Sequence, residues 1–224
     1  MLKAFISVSM LVFAMSATAG DKIEVNSDTA TYGADGQRAQ FDGNVVVNTD
    51  GVIAHADRVL VSVYAEGNIY QLSGSPVRAV CAECADFPLH VSAPEMMLSD
   101  EEESLTIPAA LMLCAGEAET CERGQLQADY ARWLLGEEIA ELRGSPVRGV
   151  WRPDDGGAPV SVQARRIEYN RQTDSLVMEG DAVASRDGEE IRGEVININI
   201  KTGALAVESN DDSGRVRGVF GGDE

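Results

Sequence analysis

The sequence predicts an all-β protein assembled from repeated antiparallel hairpin units. In "VININI", Ile196, Ile198 and Ile200 share one face and asparagines occupy the other, and Val59 and Val61 alternate in the same way within "RVLVSVY". A period of two is the pattern of a half-buried strand. Turn signals such as "NTDG", "AEGN" and "SRDGEE" separate these segments at short intervals, which is typical of successive hairpins.

The strands recur in the same order in three units, spanning about residues 28–78, 91–148 and 160–208. The first unit reads "TATY", "RAQFDGNVVV", "VIAHADRVLVSVY" and "IYQLSGSPVR". The third reads "VSVQARRIEY", "SLVMEGDAVAS", "EEIRGEVININI" and "GALAVES", so that "FDGNVVV" corresponds to "MEGDAVA". Because one hairpin unit cannot bury its apolar face alone, we expect the stacked units of residues 20–208 to share one core and to be open at the ends.

The middle unit follows the same order with "VSAPEMMLS", "ESLTIPAALML", "GQLQADYARWLL" and "EIAELRGSPVR". Leu126, Tyr130 and Trp133 have near-helical spacing, but their place in the repeat predicts a strand over 126–135. After the third unit, residues 209–224 are predicted to form a C-terminal edge strand, "GRVRGVF", and an acidic, glycine-rich tail.

The pentapeptide GSPVR occurs twice, at 74–78 and at 144–148, and ends the first two units. Pro76 has no amide hydrogen to donate, so it belongs at a sheet edge or a strand boundary. We therefore interpret GSPVR as a structural corner rather than a binding motif.

The first nineteen residues, 1–19, are predicted to be a signal peptide. Lys3 precedes an apolar run over 4–15, and "ATA" at 17–19 has the small-x-small form of a cleavage site, so the mature chain would begin at Gly20. The apolar run is shorter than the roughly 20 residues that span a bilayer, which disfavours a membrane anchor. We expect an exported, periplasmic protein.

The chain of 224 residues has 37 acidic against 18 basic side chains, a formal net charge of -19. Such a charge repels nucleic acid at long range, so no nucleic-acid partner is expected. The apolar fraction of 44% is sufficient for a folded core, which distinguishes the chain from a disordered acidic tail.

Two stretches resemble the OstA-like repeat of the LptA family of periplasmic lipopolysaccharide transport proteins. They are "SDTATYGADGQRAQFDGNVVVNTDGVIAHADRVLVSVY" and "ARRIEYNRQTDSLVMEGDAVASRDGEEIRGEVININIKTGALAV". The resemblance implies an open, V-shaped OstA-like β-jellyroll that binds the acyl chains of lipopolysaccharide inside and performs no chemistry. It also implies end-to-end homo-oligomers that join an inner-membrane LptC-like anchor to an outer-membrane LptD-like translocon.

Strand parity, taken with the resemblance, selects apolar residues that would face the lipid, and it places Val52 and Ala54 at an open seam. These lipid-binding candidates are Phe41, Val45, Val47, Val52, Ala54, Leu176, Met178, Ile196 and Ile198. Because the chain is so acidic, contact with lipid phosphates would need local arginines such as Arg58, Arg78 or Arg148, or bridging divalent cations.

The four cysteines are Cys81, Cys84, Cys114 and Cys121. An even number in an exported chain favours two disulfides, and the sequence leaves the three possible pairings open. The alternatives are a four-cysteine zinc site and a catalytic CxxC, although "CAEC" lacks a thioredoxin-like βαβ context.

No catalytic or cofactor motif accompanies these features. The two histidines, His55 and His90, are isolated, and His55 is predicted to face outward from its strand. The sequence contains no nucleophile elbow, zinc-binding helix, phosphate loop or dinucleotide fingerprint. We expect a non-enzymatic protein without metal or cofactor, with an LptC-like anchored partner, a CxxC redox or zinc protein, or a ligand-free structural repeat as alternatives.

Overall fold

The structure is a computed structural model, and it describes residues 23–49, 51–82, 88–118, 120–152, 157–200, 204–208 and 217–219. The predicted signal peptide, Cys84 and most of the acidic tail lie outside the described residues. All sixteen strands belong to one antiparallel sheet, and the described residues include no helix. The all-β prediction is confirmed.

The strands follow the order that the sequence predicts. They are β1 Glu24–Asn26, β2 Thr29–Tyr32, β3 Arg38–Asn48, β4 Val52–Val63, β5 Asn68–Cys81, β6 Leu89–Ser99, β7 Ser104–Ile107, β8 Leu111–Ala115, β9 Gly124–Ala128, β10 Tyr130–Leu134, β11 Ile139–Trp151, β12 Val160–Asn170, β13 Ser175–Arg186, β14 Glu189–Asn199, β15 Leu205–Glu208 and β16 Arg217–Val219. The segment with helical spacing forms β9 and β10, so its prediction as strand is also confirmed.

A single irregularity crosses the whole sheet and divides it in two. The long strands β3, β4, β5, β6, β11, β12, β13 and β14 run through it, whereas the remaining strands stop on one side. We call this line the crease. It consists of Gly43–Asn44, Asp57, 74–76, Pro94, 108–110, Asp129, 144–146, Arg165, Gly180–Asp181 and Glu194.

The crease separates two half-sheets. The upper half-sheet contains β1, β8, β9 and β16, the lower half-sheet contains β2, β7, β10 and β15, and each long strand contributes one segment to both. The hairpin turns lie along the two rims, on the side opposite the crease.

Local sequence explains the interruptions in the ladder. Gly43 and Gly180 have φ angles of 79° and 76°, a left-handed conformation that glycine adopts without steric cost, and each begins a bulge in its strand. At the other corners prolines remove the amide donor, as Pro76 and Pro146 do in the two GSPVR motifs. Both of these Ser–Pro bonds are cis.

The buried side chains change parity at the crease. On β4, Ala54 and Ala56 are buried before the crease, and Val59 and Val61 are buried after it. The inserted backbone therefore re-aims the chain so that apolar residues remain on the same face in both half-sheets. Since both half-sheets bury this face in one hydrophobic cluster, the sheet is folded on itself along the crease.

Small buried side chains are frequent beside the crease. Small residues line the interior next to it, including Ala56, Ala93, Ala128, Ala164 and Ala182, and this allows the two half-sheets to converge. Larger buried residues occur near the lower rim, as Tyr70 and Trp133 do, and also beside the crease, as Ile107 and Leu111 do. We call the apolar interior between the two half-sheets, from the crease to the mouth between the rims, the apolar wedge.

Candidate functional site

The sequence-predicted lipid-binding residues all lie on the interior face, but their accessibility differs. Six are almost fully buried, at 0–1% exposure: Val45, Val47, Val52, Ala54, Met178 and Ile196. The placement of Val52 and Ala54 at an open seam is therefore wrong, because the opposite half-sheet covers both. Phe41, Leu176 and Ile198 are only half-buried against the cluster.

The half-buried residues mark the two ends of the interior. Phe41 is on β3, next to the first edge of the sheet, where its ring contacts that of Tyr32 edge-on with centroids 6.2 Å apart. Leu176 and Ile198 are cross-strand partners on β13 and β14, next to the last edge. Apolar side chains are therefore accessible to a ligand at both ends of the sheet.

Between these ends the interior is closed by residues that sequence reasoning did not select. Among those that are fully buried, at 0–1% exposure, the largest are Leu72, Met96, Ile107 and Ile167. In the sequence, these residues are part of the alternating apolar pattern of the segments that form β5, β6, β7 and β12. A ligand that passes the middle of the sheet must separate the half-sheets there, because these side chains fill the space.

The lower rim combines apolar and polar groups at the mouth. Burial raises the pKa of Tyr70, and the nearby Asp100 carboxylate adds to the effect. Asp100 also accepts hydrogen bonds from the backbone amide and side-chain amide of Asn68, which joins two adjacent hairpin turns. The phenol is therefore neutral at physiological pH, at the boundary between the interior and solvent.

The outer face of the lower half-sheet carries a charge cluster centred on Arg166. Its guanidinium donates to Glu141, Glu168 and Glu179 on three adjacent strands, with a distance of 2.7 Å to Glu179. Burial alone would raise the pKa of Glu141, but hydrogen bonds from Arg143 and Arg166 outweigh it and leave that pKa below its usual range. The cluster ties β11, β12 and β13 together and leaves no free charge at its centre.

Cysteines stabilise the upper rim. Cys114 and Cys121 form a disulfide with Cα atoms 4.9 Å apart across the turn between β8 and β9, which is one of the pairings that the sequence left open. Cys81 is also disulfide-bonded. A disulfide sulfur is not the thiolate that zinc requires, so the four-cysteine zinc alternative is wrong.

The histidines are not brought together. His55 is exposed on β4, opposite Val46 and Arg78, as predicted, and His90 is half-buried on β6. Within the described ranges no group of three or more His, Cys, Asp or Glu side chains is arranged to hold a metal ion. Nor do the described residues include a helix long and apolar enough to cross a membrane.

The fold class and the family of the chain both follow from its geometry and from its similarity to known proteins. A creased antiparallel sheet folded around an apolar interior defines the chain as an all-β protein of the LptA-like β-jellyroll class. More particularly, residues 24–204 match the family described as LptA/(LptD N-terminal domain) LPS transport protein, and the chain belongs to that family. No curated protein matches the sequence.

Among solved structures, the chain is similar to the crystal structure of LptH from Pseudomonas aeruginosa. That protein is described as the LptA-homologous periplasmic component of the lipopolysaccharide transport device. The alignment covers 90% of this chain and 96% of that one, with 12% identity and a TM-score of 0.35.

Proposed function

We propose that the chain is a periplasmic carrier that holds the acyl chains of lipopolysaccharide between its two half-sheets. Family membership supports the cargo, since the matched family is one of lipopolysaccharide transport proteins. The observation that carries the proposal is the apolar wedge, which is continuous along the sheet and has half-buried apolar side chains at both ends.

The free energy of burying acyl chains favours a cargo with several such chains over one with fewer. Burying each acyl methylene contributes about 0.8 kcal/mol, so several chains offset the repulsion between an acidic protein and a phosphorylated lipid. The polar groups of the lower rim, Asn68 and Asp100, would face the saccharide while the acyl chains lie between the separated half-sheets.

Assembly is proposed to use the sheet edges. In the described part of the chain, β1 and β2 pair only with β3, and β15 and β16 pair only with β14. Unpaired edges are templates for strand addition from another chain. We therefore assign these edges to end-to-end homo-oligomers and to contacts with an LptC-like anchor on one side and an LptD-like translocon on the other.

Photo-crosslinking in cells tests the carrier proposal. Crosslinking residues at Phe41, Leu176 and Ile198 are expected to capture lipopolysaccharide, because these positions face the accessible ends of the interior. The same crosslinker at Asn197, the outward neighbour of Ile198, and at Asn44 on the crease is the matched control. Equal capture from interior and outer positions would show that the interior is not the lipid path.

The buried positions extend the test to the middle of the sheet. Val52 and Met178 should capture lipid only when cargo is being transported, since the half-sheets must separate before an acyl chain reaches them. Capture at these positions without ongoing transport would contradict the separation step while leaving the carrier role intact.

A further inference from the structure

The outer face of the upper half-sheet differs from the rest of this acidic protein. One row of cross-strand partners runs across it, and we call it the outer row: His55, Arg78, Ser92, Met112, Gln127, Arg148, Gln163, Val183 and Arg192. None of these side chains is a carboxylate, although acidic residues outnumber basic ones 37 to 18 in the chain.

Two arginines of the outer row have no acidic partner. Arg78 and Arg148 are exposed, and within the described residues neither side chain takes part in a hydrogen bond or an ion pair. Both are the final residue of a GSPVR motif. Each corner buries its valine completely, which directs the following arginine outward.

Arg148 lines a groove of about 620 Å³ at the crease. Arg78 does not line the groove but lies at its β5 end, as the cross-strand partner of the lining residue Ser92. Four strand spacings of about 4.8 Å separate Arg78 from Arg148, or about 19 Å. Three prolines and one exposed methionine contribute apolar surface between them: Pro76, Pro94, Pro146 and Met112.

One carboxylate, that of Asp129, lines the groove, and it is held by a hydrogen bond at the corner. Asp129 accepts a hydrogen bond of 3.0 Å from the Ser145 amide, as Asp57 does from the Ser75 amide at the other corner. The hydrogen bond leaves Asp129 charged, so the groove and its β5 end carry two cationic side chains, Arg148 and Arg78, against one anionic side chain. Arginine and methionine are also enriched where proteins bind one another.

We propose that this groove is a docking site for an extended, acidic segment of a partner protein. A span of about 19 Å accommodates about six extended residues, so carboxylates at both ends of such a segment would reach the two arginines while apolar residues between them contact Met112 and the prolines. The remaining acidic surface repels the same segment, which restricts docking to this face.

The location distinguishes this site from the cargo path. The groove lies at the crease, with Met112 and Arg148 on the outer face and with Ala93 and Ala128 of the hydrophobic cluster also in its lining. The interior opens at the mouth between the rims. The inference rests on the charge and shape of this outer surface and does not depend on what the interior carries.

The probe is a set of fluorescein-labelled ten-residue peptides with paired carboxylates at both ends and a central apolar stretch. Fluorescence anisotropy with the full exported chain should detect binding that weakens as salt is raised. The double variant Arg78→Glu, Arg148→Glu should raise Kd about 10-fold or more, because two attractive charges become repulsive. Arg38→Glu is the matched control, since Arg38 is also exposed and unpaired but lies on the lower half-sheet; it should leave Kd unchanged.

Several outcomes would overturn the proposal. They are equal affinity for peptides in which asparagine and glutamine replace the acids, an equal effect of the Arg38 control, and no binding of any acidic peptide. Flotation with vesicles containing anionic phospholipid that is lost in the double variant would instead identify a lipid surface as the occupant. Loss of self-association in the same variant, measured by sedimentation, would identify a second copy of the chain.

Discussion

At the level of single residues, the Arg166 cluster shows how an acidic protein uses its few cations. One guanidinium contacts carboxylates from three strands, and the Glu141 side chain is only 17% exposed. A partly buried carboxylate that accepts two charged hydrogen bonds stabilises the folded state more than an exposed pair does. The cluster therefore links three adjacent strands on a face whose carboxylates would otherwise repel one another.

Replacing Arg166 with methionine should lower the free energy of unfolding by about 1 kcal/mol at pH 7. The pKa of folded Glu141 lies below its unfolded value, so its contribution is present above about pH 4.3 and is lost as the pH falls through the folded pKa. The difference between variant and wild type should therefore shrink toward pH 3. Urea unfolding at both pH values measures it, with Arg58→Met, at an exposed pair, as a control that should change less.

At the level of elements, each corner is held by a carboxylate from the neighbouring part of the sheet. Asp57 and Asp129 accept the amide hydrogens of Ser75 and Ser145 at 3.0 Å. The sequence alone indicated corners from the prolines, but it did not indicate these acceptors, because they are distant in sequence from the corners. The same hydrogen bond at both corners supports the interpretation that the two GSPVR-containing units are repeats of one structural unit.

Asp57→Ala and Asp129→Ala should each destabilise the fold by about 1 kcal/mol, since each leaves an amide without its protein acceptor. The two losses should add within about 0.5 kcal/mol, because the corners are far apart. Chemical unfolding of the single and double variants tests this. Asp57→Asn keeps an oxygen acceptor and should lose less; a loss as large as that of alanine would show that the hydrogen bond is not the cause.

The disulfide of the upper rim gives a second prediction at this scale. Replacing Cys114 and Cys121 with serine should lower the free energy of unfolding by about 2 kcal/mol, since the open loop gains entropy in the unfolded chain. The exported wild-type protein should show no reactive thiol in a non-reducing assay. Reactive thiols in oxidised, periplasmic material would contradict the bonded state.

Much of the fold was predictable from local pattern, and the remainder depends on long-range pairing. Alternation and turn residues predicted the strands, including β9 and β10. The exposure of Val52 was mispredicted because burial there depends on the opposite half-sheet, which local alternation does not specify. The alignment of Arg78 with Arg148 likewise depends on register across several strands, although the parity change on β4 was a visible signal of the crease.

At the level of the whole molecule, the edges should control assembly independently of the interior. Deleting the chain from Asp212 onward removes β16 and exposes the corresponding part of β14. Self-association or partner docking should weaken, while the circular dichroism of the sheet should remain nearly unchanged. Sedimentation measures the first and spectroscopy the second; unchanged association would show that the C-terminal edge is not a joint.

The crease also has a consequence for how such a chain can change over generations. In a regular sheet, one inserted or deleted residue inverts every side chain beyond it, moving apolar groups into water. Here the irregular backbone already resets the alternation once in each long strand, at sites such as Gly43 and Gly180. A length change at the crease can be absorbed by remodelling that bend, so strands can be lengthened, shortened or recombined on one side while the other keeps its inward pattern. The crease is thus a site at which changes in strand length can be tolerated during evolution. It is also a suitable place to join designed repeats.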